Sequence, residues 1–153
     1  MSDPARPIPL SLLTDSLAQA IERVQLSGGV EQVLVTRTDG LPIAHNLTDA
    51  NQAKRIAAMA AAIVGTGEMA TKDLGRGALH GATIDAEWGR LVCLRAGPEA
   101  IVAGLGETGG NVGLMLLVLR ELATVVDRAI TEWQDPTVPR RRRADSGSGS
   151  PFA

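Results

Sequence analysis

Aromatic side chains are scarce in this sequence: two tryptophans, one phenylalanine and no tyrosine. That leaves little on which to stack unpaired bases, which argues against a single-strand nucleic-acid platform. Cysteine is scarcer still. Cys93 stands alone, so a disulfide within the chain and a cysteine-built metal cluster are excluded. Long apolar runs are also missing. Ile56–Gly65 and Val112–Leu119 fall well short of the ~20 residues that cross a bilayer. Met1–Pro9 carries prolines and charges where a secretory signal would carry an apolar core. A soluble, cytoplasmic protein with no membrane span is the expectation. Nor is there an excess of positive charge. The net charge is −2, and setting aside the four arginines Arg140–Arg143 leaves a body at −6. An acidic body suits nucleic acid poorly.

The 153 residues are enough for one domain with a real core, flanked by tails. Leu10, Leu13, Leu17, Ala20, Ile21 and Val24 recur at helical spacing. Ser27-Gly28-Gly29 ends that helix, because glycine accepts the left-handed cap geometry. Val30–Thr38 is rich in β-branched residues and reads as a strand. Asp39-Gly40 then signals a hairpin in which both turn positions take positive φ. The return strand Leu41–Leu47 contains Pro42, which cannot donate to a ladder and so places this strand at a sheet edge.

Asp49 is positioned to cap a long helix, Ala50–Lys72. Ile56, Met59, Ile63, Gly67 and Ala70 form one stripe on it. Ala57, Ala58, Ala61, Ala62, Gly65 and Met69 form another, nearly opposite. A helix apolar on both sides is buried on both sides. The first stripe is expected to lie on the sheet. The second, built of small residues, lets another helix approach closely, and Ala58, Ala61, Ala62, Gly65 and Met69 are the expected dimer interface. Ala78–Asp85 and Arg90–Ala96 make a second hairpin around Ala86-Glu87-Trp88-Gly89. Glu99–Leu105 adds a strand, and Asn111–Trp133 is a cleanly amphipathic last helix. The sum is an α+β fold, α-β-β-α-β-β-β-α, with a five-stranded, mainly antiparallel sheet and helices on both faces. Residues 1–9 read as a flexible N-terminal segment and 10–134 as the domain. Residues 135–153 read as a disordered tail, basic and then Gly/Ser-rich.

Gly104-Leu105-Gly106-Glu107-Thr108-Gly109 matches G-x-G-x-x-G after a strand and before a helix. A dinucleotide site also needs a further parallel strand with an acid near its end, and here the helix runs into prolines and arginines. The glycines instead read as a tight strand-to-helix turn with close packing, and no nucleotide or other cofactor is expected. His45 and His80 are isolated, with no Glu or Cys at ligand spacing, and no metal site or catalytic base is expected. Cys93 alternates with Leu91 and Arg95 and reads as a small packed side chain. Trp88, at a hairpin tip, has two open readings: folded back onto the neighbouring strand, or exposed as an anchor for a partner.

Three stretches of sequence together resemble the Roadblock/dynein-light-chain family. They are Gly29-Val30-Glu31-Gln32-Val33-Leu34-Val35 with Asp39-Gly40-Leu41-Pro42-Ile43-Ala44, the hairpin Trp88-Gly89-Arg90-Leu91-Val92, and Gly109-Gly110-Asn111-Val112-Gly113. The resemblance covers about Ser11 to Trp133. It implies a homodimer, with the middle helix and the Ala78–Asp85 strand paired to their counterparts. It further implies a non-enzymatic signalling module like the bacterial MglB-type regulators, which bind small Ras-like GTPases and in some cases stimulate GTP hydrolysis. Two alternatives stay open from the sequence: a structural adaptor with no effect on hydrolysis, and a small-ligand sensor using the sheet face and Cys93.

Pro136–Ala153 offers no apolar face to bury. Truncation after Asp135 should therefore leave folding and assembly intact, and a large drop in melting temperature on truncation would show that the tail packs on the domain.

Overall fold

The computed structural model describes residues 9–135. The elements follow the expected order: α1 (Leu10–Leu26), β1 (Gln32–Arg37), β2 (Pro42–His45), α2 (Ala50–Asp73), β3 (Gly81–Ala86), β4 (Gly89–Ala96), β5 (Ala100–Gly106) and α3 (Val112–Gln134). The strands form one sheet in the order β2-β1-β5-β4-β3, and every neighbouring pair is antiparallel. Pro42 opens an edge strand, as its missing N–H requires. The expected tail from Pro136 onward, and most of the N-terminal segment, lie outside the described residues.

Alternation along the strands divides the core in two. Val33, Val35, Val92, Leu94, Ala100 and Val102 face α1 and α3. Leu34, Cys93, Ile101 and Ala103 face α2. The chain chemistry marks the helix ends. Gly28 takes φ +83° after α1, where a side chain would be strained. The Asp49 carboxylate accepts from the Asn51 N–H at 2.9 Å, and the Asn111 side-chain amide oxygen (Oδ1) accepts from the Leu114 N–H at 3.0 Å. Each satisfies a donor that its helix leaves open.

The glycine motif is a packing seat. Gly104 and Gly106 lie two residues apart and so share a face, the one beneath α3. Leu119 and Met115, four apart on α3, fill the space where side chains would stand. A Cβ on Gly104 would come within 2.6 Å of Leu119 Cδ1, and one on Gly106 within 3.2 Å of Met115 Sδ. Gly109 supplies the turn, with φ +86°.

Three sequence expectations need correction. In the first hairpin only Gly40 has positive φ, +89°, and Asp39 does not. The Gly40 N–H bonds the Arg37 carbonyl at 3.0 Å and the Arg37 N–H bonds the Leu41 carbonyl at 2.9 Å, closing the turn. Separately, the β1–β2 register slips between Val35 and Thr36, where Ile43 is the extra residue of a bulge. The third strand begins at Gly81, later than Ala78, because Gly75 and Gly77 both adopt positive φ on the way out of α2. Finally, the stripe of α2 on the sheet is Ala53, Ile56, Ala57, Ala60 and Val64. Met59 is 51% exposed because it sits about 100° round the helix from Ala60. Ala70 is exposed too, and Ala57, assigned to the opposite stripe, is buried.

Gly104→Val should crowd Leu119, which is fully buried. Overpacking of this kind costs about 1–3 kcal/mol, so the melting temperature should fall clearly. An unchanged melt would show that Leu119 moves aside freely.

Candidate partner-binding surface

Once α2 lays its Ala60 stripe on the sheet, the opposite side of the helix has no partner among the described residues. Ala58, Ala62, Gly65 and Met69 are exposed there, and Ala61 is half-buried at its margin. Met59 and Met69, at 51% and 72% exposure, are the large apolar groups on this surface. Ala58 lies on the flank toward the first hairpin, where a Cβ on Gly40 would be 3.3 Å from its Cα. Gly67, on the flank toward β3, gives its missing side chain's place to Leu79. The Arg95 Nε bonds the Glu68 Oε1 at 3.0 Å and ties the C-terminal part of α2 to β4. The five residues expected at a dimer interface thus fall on one side of one helix, four of them exposed.

β3 lies next to α2 as the second edge strand, and its outer edge pairs with no strand among the described residues. Its coverage is also incomplete. Thr83 shares the α1/α3 side of the sheet with Val92, its partner on β4, yet Val92 is buried and Thr83 exposed.

Trp88 does not fold back. It is 84% exposed at the tip of the β3–β4 hairpin, where Ala86 pairs with Gly89 and leaves a two-residue loop. The loop is braced: the Thr108 hydroxyl donates to the Glu87 carbonyl at 3.0 Å. An exposed indole held on a fixed turn loses little freedom on binding, which is how tryptophan serves as an interface anchor.

A carboxyl pair at the same end of the sheet escaped sequence reasoning. β1 and β5 are neighbours, and the Glu31 N–H bonds the Leu105 carbonyl at 2.9 Å, which brings Glu31 beside Glu107. Hydrogen bonding to Glu107, then desolvation, then the neighbouring negative charge raise the Glu31 carboxyl above its ordinary value. Only the β1–β5 register could have revealed this, because 75 intervening residues separate the two acids in sequence.

The remaining candidates are structural. His45 Nδ1 accepts from the Leu47 N–H at 3.1 Å. His80 is exposed just before β3. Cys93 is fully buried beneath α2, and burial pushes its thiol up to about 11, so little nucleophilic thiolate forms near neutral pH. Among the described residues no three of His, Cys, Asp and Glu gather as a metal-holding group, and no helix is long and apolar enough to cross a membrane.

Comparison with known proteins gives matches of two kinds. The profile of the Roadblock/LC7 domain matches residues 17–104. Two uncharacterised proteins of Methanocaldococcus jannaschii are each 32% identical over 107 residues, 67% of this chain and 93% of theirs. Among solved structures, Myxococcus xanthus MglB superposes with a TM-score of 0.72 at 12% identity, covering 78% of this chain and 91% of that one. The gliding protein mglB of Thermus thermophilus does so with a TM-score of 0.73 at 15% identity, covering 84% of this chain and 98% of that one. At such identities the likeness is one of fold.

The Glu31–Glu107 pair gives a pH signature. A carboxyl with a raised pKa favours the folded chain while protonated. That contribution is present below the ordinary value of 4.5 and is lost as pH rises through the raised one. Glu107→Gln keeps a hydrogen-bonding group and removes the repulsion. Its melting temperature relative to the parent should therefore climb between pH 4 and pH 7.5 (roughly the span of carboxyl titration). A constant difference across that span would show that the pair is not coupled in solution.

Proposed function

The chain belongs to the Roadblock/LC7 domain family, and on that membership we propose that it acts as a non-catalytic homodimeric module that binds a small Ras-like GTPase. One observation carries the reading: the outer side of α2 is exposed and built largely of small and apolar residues, Ala58, Ala62, Gly65 and Met69, with Arg55 and Thr66 among them, and β3 is an open sheet edge. Water is a poor solvent for such a surface. A second copy set against it covers Ala58, Ala61, Ala62, Gly65 and Met69, with Met59 beside them. Alanine and glycine at roughly four-residue spacing let two helices close toward the short end of the ~8–10 Å packing range.

A dimer of this kind offers a rigid platform assembled from both copies, and the GTPase docks on it. Stimulation of hydrolysis, where it occurs, works by ordering the GTPase's own catalytic groups. No arginine of this chain has to enter the nucleotide site. The adaptor reading uses the same surface and differs in one observable: the complex forms but GTP turnover is unchanged.

A bulky charge in the helix seam would clash and be desolvated, at a cost of several kcal/mol. Ala62→Arg should therefore yield monomer or aggregate, while Arg128→Ala, on the exposed side of α3, should leave the assembly unchanged. Light scattering coupled to size exclusion distinguishes them. A parent that is monomeric at tens of micromolar (the order of magnitude for a moderate dimer) would sink the homodimer, as would a stable Ala62→Arg dimer. Affinity capture with a GTP or GDP analogue added, followed by mass spectrometry, identifies the partner. Failure of any Ras-like GTPase to bind in either nucleotide state would remove the regulatory reading.

A further inference from the structure

Trp88 is the most exposed large apolar side chain among the described residues, at 84%. It stands on a turn that is tied down at two points. The Thr108 hydroxyl donates to the Glu87 carbonyl at 3.0 Å, and a Cβ on Gly89 would come within 3.3 Å of the Gly106 carbonyl oxygen. The connection between β5 and α3 therefore runs against the hairpin loop, and it brings charge with it. Glu107 adjoins Thr108 in sequence, Glu31 is hydrogen-bonded to Glu107, and Glu87 precedes the indole in the loop. All three acids are exposed. Arg90, which could offset them, is held by Asp85 on the facing strand. The indole thus projects from an end of the sheet with surplus negative charge.

We propose that the Trp88 hairpin docks an arginine-bearing segment of a partner protein, one guanidinium stacking on the indole while neighbouring cations pair with Glu87, Glu107 and Glu31. The inference stands apart from the homodimer reading. There α2 supplies the surface that a second copy covers, whereas the hairpin is a second surface of different chemistry. Charge selects the occupant. Carboxylates beside an aromatic face attract a cation and repel an acidic segment. Arginine suits the site better than lysine does. Its planar guanidinium lies flat on a ring while the remaining N–H groups reach carboxylates, and it is more weakly hydrated than an ammonium. The fixed turn contributes too, because little freedom is lost when contact is made. An exposed indole on an uncharged loop would accept any apolar recess, and the three acids narrow that choice. They also act before contact, since a negative end steers a basic segment toward it and does so less as salt rises.

A labelled tetra-arginine peptide probes the site directly. The background is the full chain with Arg140–Arg143 each changed to serine, so that its own arginine run does not compete. Fluorescence anisotropy at low ionic strength should show binding that weakens several-fold between about 20 and 150 mM salt. Trp88→Ala should weaken it about threefold or more, and Glu87→Gln together with Glu107→Gln about fivefold or more. Tetra-lysine should bind less tightly than tetra-arginine, and tetra-glutamate should not bind. In Trp133→Phe protein, Trp88 is the only tryptophan, and the peptide should shield it from acrylamide. Binding that Trp88→Ala leaves unchanged would be a general attraction to an acidic body and overturns the proposal. Absence of binding at millimolar peptide overturns it too. An indole already shielded in the parent, and opened by Ala62→Arg, would show that a second copy covers Trp88; that removes the docking site and leaves the homodimer standing. A monomeric parent that binds the peptide through Trp88 supports the docking site and sinks only the homodimer. If Trp133→Phe fails to fold, the anisotropy series alone decides.

Discussion

A sheet of five strands has two edges, and each exposes a row of unpaired backbone groups that another chain can capture. This fold treats its edges differently. β2 is four residues long, begins with Pro42, and adjoins a bulge in the ladder with β1. Each of these features discourages further pairing. β3 has six residues, no proline and no bulge in its pairing with β4. The protection is concentrated on one side, and the other is left able to pair. The bare side of Thr83 and the projecting Trp88 adjoin that second edge, and α2 crosses the sheet from it toward the first hairpin.

Much of this was legible in the sequence because the signals are chemical and local. Gly28, Asp49, Asn111 and Pro42 each solve a backbone problem that few other residues solve, and each marks its boundary within a residue or so. The side of α2 that meets the sheet was harder to read. Alanine and glycine occupy so much of the helix that the contrast between its faces is weak, and Met59 is large enough to suggest an inward position it does not hold. Size failed as a guide because the buried stripe itself is mostly alanine: Ala53, Ala57 and Ala60 are all fully buried. A helix that lies close to a sheet selects small residues on that side. Its outer surface is small as well, which is what one expects where a second backbone also comes near.

The candidate surface was only half legible for a related reason. Ala58, Ala62, Gly65 and Met69 could be grouped by angle alone, since a helix has one fixed period. Trp88 could be placed at a hairpin tip, but whether its ring folded back depended on the turn and its brace from Thr108, which lies 21 residues beyond Glu87. The Glu31–Glu107 pair depended on strand order. Contacts that require knowing which strands are neighbours are invisible until the sheet is assembled, and these three acids, Glu31, Glu87 and Glu107, come from three separate connections.

The G-x-G-x-x-G run shows how one local pattern can serve two kinds of structure. Glycine in such a run removes side chains so that something can come close. In a dinucleotide site the visitor is a pyrophosphate. Here Leu119 and Met115 of the chain's own last helix come close, and their burial fixes α3 across β4 and β5. With α3 fixed, the loop before it is fixed, and Thr108 in that loop holds the hairpin that presents Trp88. The glycines therefore act on the surface at a distance, through packing. Cys93 contributes in the same way, as volume beneath α2. The surface this domain leaves exposed has small residues along α2 and one indole on a braced turn beside an open strand.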